Sequence, residues 1–188
     1  PAIIGELLSA GLGVNGMLWA TSPAATELET RLLDWLAKAM GLSDEFLSTS
    51  QNGGGCIQAT ASESTLAALL AARQRYRGAK GQGGRGTEVV GSTRVPEYVV
   101  YASTQAHSSV AKAAMIAGIA EGPEDPHIRL VPVDVDGAMR EDELARMVRE
   151  DVAAGRAPLM VCATVGTTGI TAIDRVDRIA DALDGVPG

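Results

Sequence analysis

From residue 97 onward the chain alternates short apolar runs with amphipathic segments, and this alternation constrains the fold more than any other feature. "EYVVYAS" (97–103), "IRLVPV" (128–133) and "LMVCATV" (159–165) have the length and β-branched content of buried strands. Between and after them, 107–119, 140–154 and 174–184 show the apolar spacing of helices. Strands separated by helices of this length require crossover connections and a mainly parallel sheet covered by helices, an α/β architecture. Ligands of such sheets bind beyond the carboxyl ends of the strands. Three polar clusters fall at or near those ends: Ser103 to Ser109, Thr164 to Thr171, and the glycine-rich entry to Ser62.

The preceding half reads as helical. A short helix over 2–11 is followed by the turn "GLGVNG", and a second helix opens at "TSPAATELE". Ser22 is its N-cap, Pro23 its first helical residue, Glu27 and Glu29 stand in its early turns, and Gly41 ends it. Leu28, Leu32, Trp35, Leu36 and Ala39 form its apolar stripe. "NGGGCIQATASESTLAALLAARQRYRG" leads through glycines into a third helix running to about Arg77, and 78–96 reads as a Gly-rich surface loop. These patterns divide the chain into a helical segment, 1–45, and the start of an α/β core, 46–188.

With 188 residues, 46% apolar and 21% charged, the chain can bury a sizeable core. No stretch approaches the roughly 20 apolar residues of a membrane span. A net charge of −7 with scattered Lys and Arg points away from nucleic acid and toward small molecules. Cys56 and Cys162 sit in Gly-rich or apolar settings that suit buried thiols and match neither CxxC nor a zinc spacing. With two histidines and dispersed carboxylates they offer no metal-ligand set. A reduced, cytoplasmic compartment fits this cysteine usage. The opening "PAIIGELLSAGL" has no initiator Met and no basic flank, so it reads as a helix entered midway and not as a signal peptide.

Each candidate residue has a functional and a structural reading. Thr60 and Glu63 have the spacing of a capping box, and the amides of that helix start, with the Ser62 hydroxyl, suit a phosphate. A plain capped helix explains them too and, such boxes being common, is the reading these residues alone favour. Thr164, Thr167 and Thr168 in "ATVGTTG" either hold a phosphate or carboxylate or finish a strand in a tight turn. His107 either fills a strand-to-helix junction through Ser108 and Ser109 or presents a titratable ring at the ligand edge. Asp174 reads as the cap of the last helix, and His127 as an exposed loop residue without a partner cluster.

"LWATSPAATELE", "GGGCIQATASESTLAALLAAR", "VYASTQAHSSVAKAA" and "CATVGTTGITAID" together resemble the group II pyridoxal-phosphate-dependent amino acid decarboxylases, in particular their aromatic L-amino acid branch. The likeness covers the chain except 78–96. It implies a fold-type I, aspartate aminotransferase-like large domain: a mostly parallel sheet flanked by helices, incomplete here, working as a homodimer with sites at the subunit boundary. Residues 1–188 then form part of the pyridoxal 5′-phosphate-binding domain.

By position in those motifs, Ala61 and Ser62 correspond to residues at the cofactor phosphate. His107 corresponds to the catalytic histidine stacked on the pyridine ring near the substrate. Thr168 corresponds to the hydroxyl supporting the acid that pairs with the pyridine nitrogen. Asn15 and Met17 fall in the substrate pocket, where aromatic decarboxylases carry apolar and aromatic residues.

The resemblance implies removal of the α-carboxylate of an L-amino acid through an imine to the cofactor, whose protonated ring is the electron sink. "QAHSSV" favours an aromatic substrate; histidine, diaminobutyrate, glutamate or cysteine sulfinate, or the chemistry of a related aldehyde synthase, stays open. So does a non-enzymatic phosphate-binding α/β domain. The family's Schiff-base lysine lies beyond an H-x-D-A-A segment. Lys38, Lys80 and Lys112 do not stand in that setting, so the resemblance implies an inactive fragment lacking that lysine.

Overall fold

The computed structural model describes residues 1–16, 18–79 and 96–185. Of the expected loop over 78–96, residues 80–95, with Lys80, lie outside the described residues, as does Met17, while 78–79 belong to the third helix. The chain divides into two compact units, Pro1–Gln58 and Ala59–Gly188.

The first unit holds α1 (Ala2–Leu12), α2 (Pro23–Ala39) and a short 3-10 turn (Asp44–Phe46). Ser22 stands at the N-cap of α2 with Pro23 next, as the sequence predicts, but its side chain makes no capping bond. The chain reverses after α2 at Gly41, where φ is +69°. Two acids of α2 then hold the following segment. Asp34 accepts from the Ser48 amide at 2.8 Å and hydroxyl at 2.7 Å, which lowers its carboxyl pKa, and Glu29 accepts from the Ile57 amide at 2.6 Å. Gly53 is required where the chain returns, because a Cβ there would run into the Leu47 carbonyl.

The stripe Leu28, Leu32, Trp35, Leu36 and Ala39, expected to face a core, is exposed. Ala37 alone on this helix is buried, and Leu33 packs beside Gly55.

The second unit contains α3 (Ala61–Ala79), β1 (Tyr98–Ser103), α4 (Ser109–Ile116), β2 (Ile128–Val131), α5 (Glu141–Ala153), β3 (Ala157–Cys162) and α6 (Val176–Leu183). Among the described residues the strands form one parallel sheet in the order β2-β1-β3, in agreement with the α/β expectation. β1 is buried along its whole length, and successive side chains point to opposite faces. Val100 and Ala102 join Leu69, Val110, Ala113 and Ala114 from α3 and α4. Val99 and Tyr101 join Leu144, Val148 and Ile179 from α5 and α6. Both faces are covered, which is why β1 reads as a continuous apolar run.

β3 begins and ends earlier than "LMVCATV" suggests, spanning Ala157–Cys162. Pro158, which has no N–H for the ladder, enters through a register shift: Val99 faces Pro158 and Val100 faces Met160, leaving Leu159 as the extra residue.

On the α5 side of the sheet, buried Asp151 joins three elements. It accepts from the Tyr101 hydroxyl and from Arg156, each at 2.8 Å, and lies 3.3 Å from Arg129 Nε. A carboxylate buried this deeply persists because it is paired and hydrogen-bonded. Burial first, then the bond to Asp151, pushes the Tyr101 hydroxyl far above its ordinary pKa.

Candidate functional site

α3 and α4 run alongside each other and opposite to β1. Tyr76, late in α3, meets Tyr98 at the start of β1 edge-on, with ring centroids 5.6 Å apart. Arg73, also late in α3, donates to the Ala117 carbonyl at the end of α4 at 2.6 Å. From Tyr76 back to Ser62 is about 21 Å of helix, against about 17 Å from Tyr98 to Ser103 along the strand. The starts of both helices therefore lie at the carboxyl edge of the sheet, which the ends of β1 and β3 share.

At that edge α3 opens as a capped helix. Thr60 Oγ1 accepts from the Glu63 amide at 3.2 Å, the expected capping contact. Ala61 and Ser62 form the first turn, where amides have no carbonyl one turn back, and both are exposed. Such a start attracts an anion through its N–H groups and the positive end of the helix dipole.

β1 leads directly to His107. The Ser103 hydroxyl accepts from the Gln105 amide at 3.3 Å and its carbonyl from the Ala106 amide at 3.0 Å, which turns the chain. The expected helix 107–119 is shorter, Ser109–Ile116, because His107 caps it from outside: Nδ1 accepts from the Ser109 amide at 3.2 Å. That bond places the proton of the neutral ring on Nε2. The ring is exposed and its orientation is fixed from behind.

The segment after β3 is a tightly knitted loop that leaves Thr168 outside. Thr167 is buried; its Oγ1 accepts from the Ala172 amide at 3.0 Å and its carbonyl from the Thr171 amide at 2.8 Å, with Thr171 at φ +55°. Asp174 closes the loop. Sequence reasoning made it a helix cap; instead Arg175 takes that position. The Asp174 carboxylate accepts from Thr164 N–H at 2.7 Å and Met139 N–H at 2.6 Å, partners 10 and 35 residues away that no local pattern shows. Gly137, at φ +80°, lets Ile170 of this loop pack directly over its backbone.

The structure thus brings Ala61, Ser62, His107 and Thr168 to one edge of one unit. Asn15 lies in the other unit, exposed, with its carbonyl accepting from the Thr21 hydroxyl at 2.8 Å. The cysteines differ from expectation: Cys56 is exposed and Cys162 half-buried. Burial, then the nearby Asp174 charge, raises the Cys162 thiol pKa. His127 is also corrected, since it is half-buried and its Nδ1 lies 2.7 Å from Asp125 Oδ1. No cluster able to hold a metal ion occurs among the described residues, and none of their helices is long and apolar enough to cross a membrane.

A helix start with exposed amides, an exposed imidazole pinned at Nδ1 and an exposed hydroxyl thus stand at the carboxyl edge of a parallel sheet, the edge where α/β proteins bind their ligands. Residues 1–186 match the pyridoxal-dependent decarboxylase conserved domain, and the chain belongs to that family. It is 47% identical over 166 residues to tyrosine decarboxylase 2 of Arabidopsis thaliana, a match covering 87% of this chain and 28% of that protein. With phenylacetaldehyde synthase of the same plant it shares 44% over 164 residues, covering 87% and 31%. The crystal structure of Catharanthus roseus tryptophan decarboxylase in complex with L-tryptophan superposes with a TM-score of 0.77 at 40% identity, over 97% of this chain and 35% of that one. The chain thus spans about three-tenths of the curated relatives it matches. These likenesses bear out the fold-type I expectation.

Proposed function

We propose that the protein this chain represents is a pyridoxal 5′-phosphate-dependent carboxy-lyase that removes the α-carboxylate of an aromatic L-amino acid. The observation that carries this reading is the convergence of the α3 start, His107 and Thr168 on one edge of the sheet. The donor set suits the cofactor: Ala61 and Ser62 present amides and a hydroxyl to a phosphate, and an imidazole pinned at Nδ1 offers a fixed face to a pyridine ring. Pyridoxal 5′-phosphate, when bound, supplies the electron sink for the pair released as carbon dioxide leaves.

The chain's own residues then bind, orient and handle protons. The α3 start anchors the phosphate. His107 would pack its pinned imidazole against the cofactor ring, and its Nε2–H would be placed to donate a proton there. Thr168 would support the acid that pairs with the ring nitrogen, from a loop fixed by Asp174 and Thr167. Asn15 and Met17 belong to the substrate pocket in this reading. The described lysines, Lys38 in α2 and Lys112 in α4, take no part, so the lysine that carries the cofactor lies elsewhere in the protein. A cytoplasmic homodimer completes the proposal. The aromatic preference is supported by the tyrosine and tryptophan decarboxylases among the relatives. Likeness to phenylacetaldehyde synthase keeps a second reaction in view, told apart by whether the product is an amine or an aldehyde.

The test is His107→Ala in the full-length protein. The variant is expected to keep its cofactor absorbance while turnover of an aromatic amino acid falls at least about a hundredfold, the scale of a lost proton-transfer group. Turnover at the parental rate contradicts the proposal.

A further inference from the structure

The opposite edge of the sheet carries a second built site. A cleft of about 150 Å³ lies there, at the amino ends of β1 and β2, walled by Arg73, Arg77, Glu97, Tyr98 and His127 together with the turn Ala117 to Ile119. Its polar groups come from separate elements: the two arginines from the last turns of α3, Tyr98 from the first residue of β1, and His127 from the residue before β2.

Three features of this cleft are unlike ordinary surface. Tyr98 is only 6% exposed, yet its hydroxyl has no hydrogen-bond partner among the described residues. A buried hydroxyl left unpaired is unfavourable, so a ligand oxygen that bonds it is favoured there. His127 is held by Asp125, which accepts from its ring Nδ1 at 2.7 Å and from its amide at 2.9 Å, so Nε2 is left to a ligand. Arg73 is anchored by one nitrogen on the Ala117 carbonyl, and Arg77 has no carboxylate at ion-pair distance among the described residues. The single acid of the wall, Glu97, lies 4.0 Å from Arg156 outside it. Two guanidiniums therefore outweigh one carboxylate that has its own cation. Burial raises the Tyr98 hydroxyl pKa, and the charges of Arg77 and Arg73 act the other way.

We propose that this cleft binds a phosphate group, free or as a small phosphomonoester, at a site separate from the cofactor edge. The arginines of α3 and the Tyr98 hydroxyl of β1 donate, while Nε2 of the neutral His127 ring accepts, a set that suits a tetrahedral phosphate with a P–OH proton better than a planar carboxylate. The volume admits a group of that size and little more. β1 runs from this cleft toward His107 and α4 returns from His107 to the cleft, so in this proposal the ligand is an effector that reaches the cofactor edge through these two elements.

Inorganic phosphate, titrated by calorimetry into the full-length protein saturated with cofactor, tests the site, because the phosphate position on α3 is then filled. The expected result is saturable one-to-one binding in the millimolar range or tighter. Arg77→Gln and Tyr98→Phe should each weaken it, the first by about tenfold, with cofactor absorbance unchanged in both. A small phosphomonoester such as glycerol 3-phosphate, titrated in parallel, distinguishes the sources: tighter binding than phosphate assigns the site to an ester, equal or weaker binding to the free ion. Absence of saturable binding, or equal binding in the parent and both variants, overturns the proposal. Malonate binding as tightly as phosphate overturns its assignment to phosphate.

Discussion

The two units use similar helical signals to different ends. In the second unit the apolar faces of α3, α4, α5 and α6 disappear into two clusters on either side of β1. In the first unit α1 buries no residue and α2 only Ala37, while Leu7, Leu8, Leu28 and Trp35 stay exposed. Helical spacing tells which face is apolar; it does not tell what covers it. A sheet supplies the cover in one unit, and among the described residues nothing equivalent does so in the other. The polar arrangement follows the same division. The candidate groups at the carboxyl edge all belong to the second unit, whereas Asn15 belongs to the first.

The sharpest way to break this comparison is a pair of truncations measured by denaturant unfolding of this chain. Leu144→Ala, in the α5 cluster, should cost about 2–5 kcal/mol, and Leu7→Ala on α1 no more than about 0.5 kcal/mol. Equal costs would mean that α1 is covered in solution.

Tyr101→Phe comes next, at about 1–2 kcal/mol, because it removes a buried donor from Asp151. Its pH dependence has a definite sign. The folded hydroxyl holds its proton beyond the ordinary tyrosine range, so Tyr101 stabilises below about pH 10. That contribution is lost as pH rises and the unfolded chain ionises. The parent should lose stability above that pH more steeply than the variant.

The smallest effect compares two caps. Thr60→Ala should cost about 1 kcal/mol, and Ser22→Ala clearly less, because only Thr60 makes its side-chain capping bond. Thermal melts of the two variants check it.

Much of the second unit was legible from its residues. The alternation after residue 97 anticipated the parallel sheet, and Ser22 with Pro23 placed the start of α2 correctly. The three clusters of the candidate site were legible by position, since each follows a strand or opens a helix.

What stayed hidden depends on distant partners. Asp174 resembled a helix cap because its bonds to Thr164 and Met139 arise only when α5 and β3 are side by side. His107 hid the true start of α4, since an imidazole acting as a cap has no common sequence signature. β3 was misplaced because proline argues against a strand, and only a register shift admits Pro158. His127 appeared partnerless although Asp125 stands two residues before it; the spacing was the signal that would have found the pair.

The central claim is that the α3 start, and no other helix start in this chain, receives the cofactor phosphate. Ser62→Asp and Ser22→Asp place the same negative charge at two helix starts, one in each unit, in the full-length protein. Cofactor dissociation constants, read from absorbance, should rise at least about tenfold for Ser62→Asp and stay at the parental value for Ser22→Asp. Equal retention in the two variants would contradict the account.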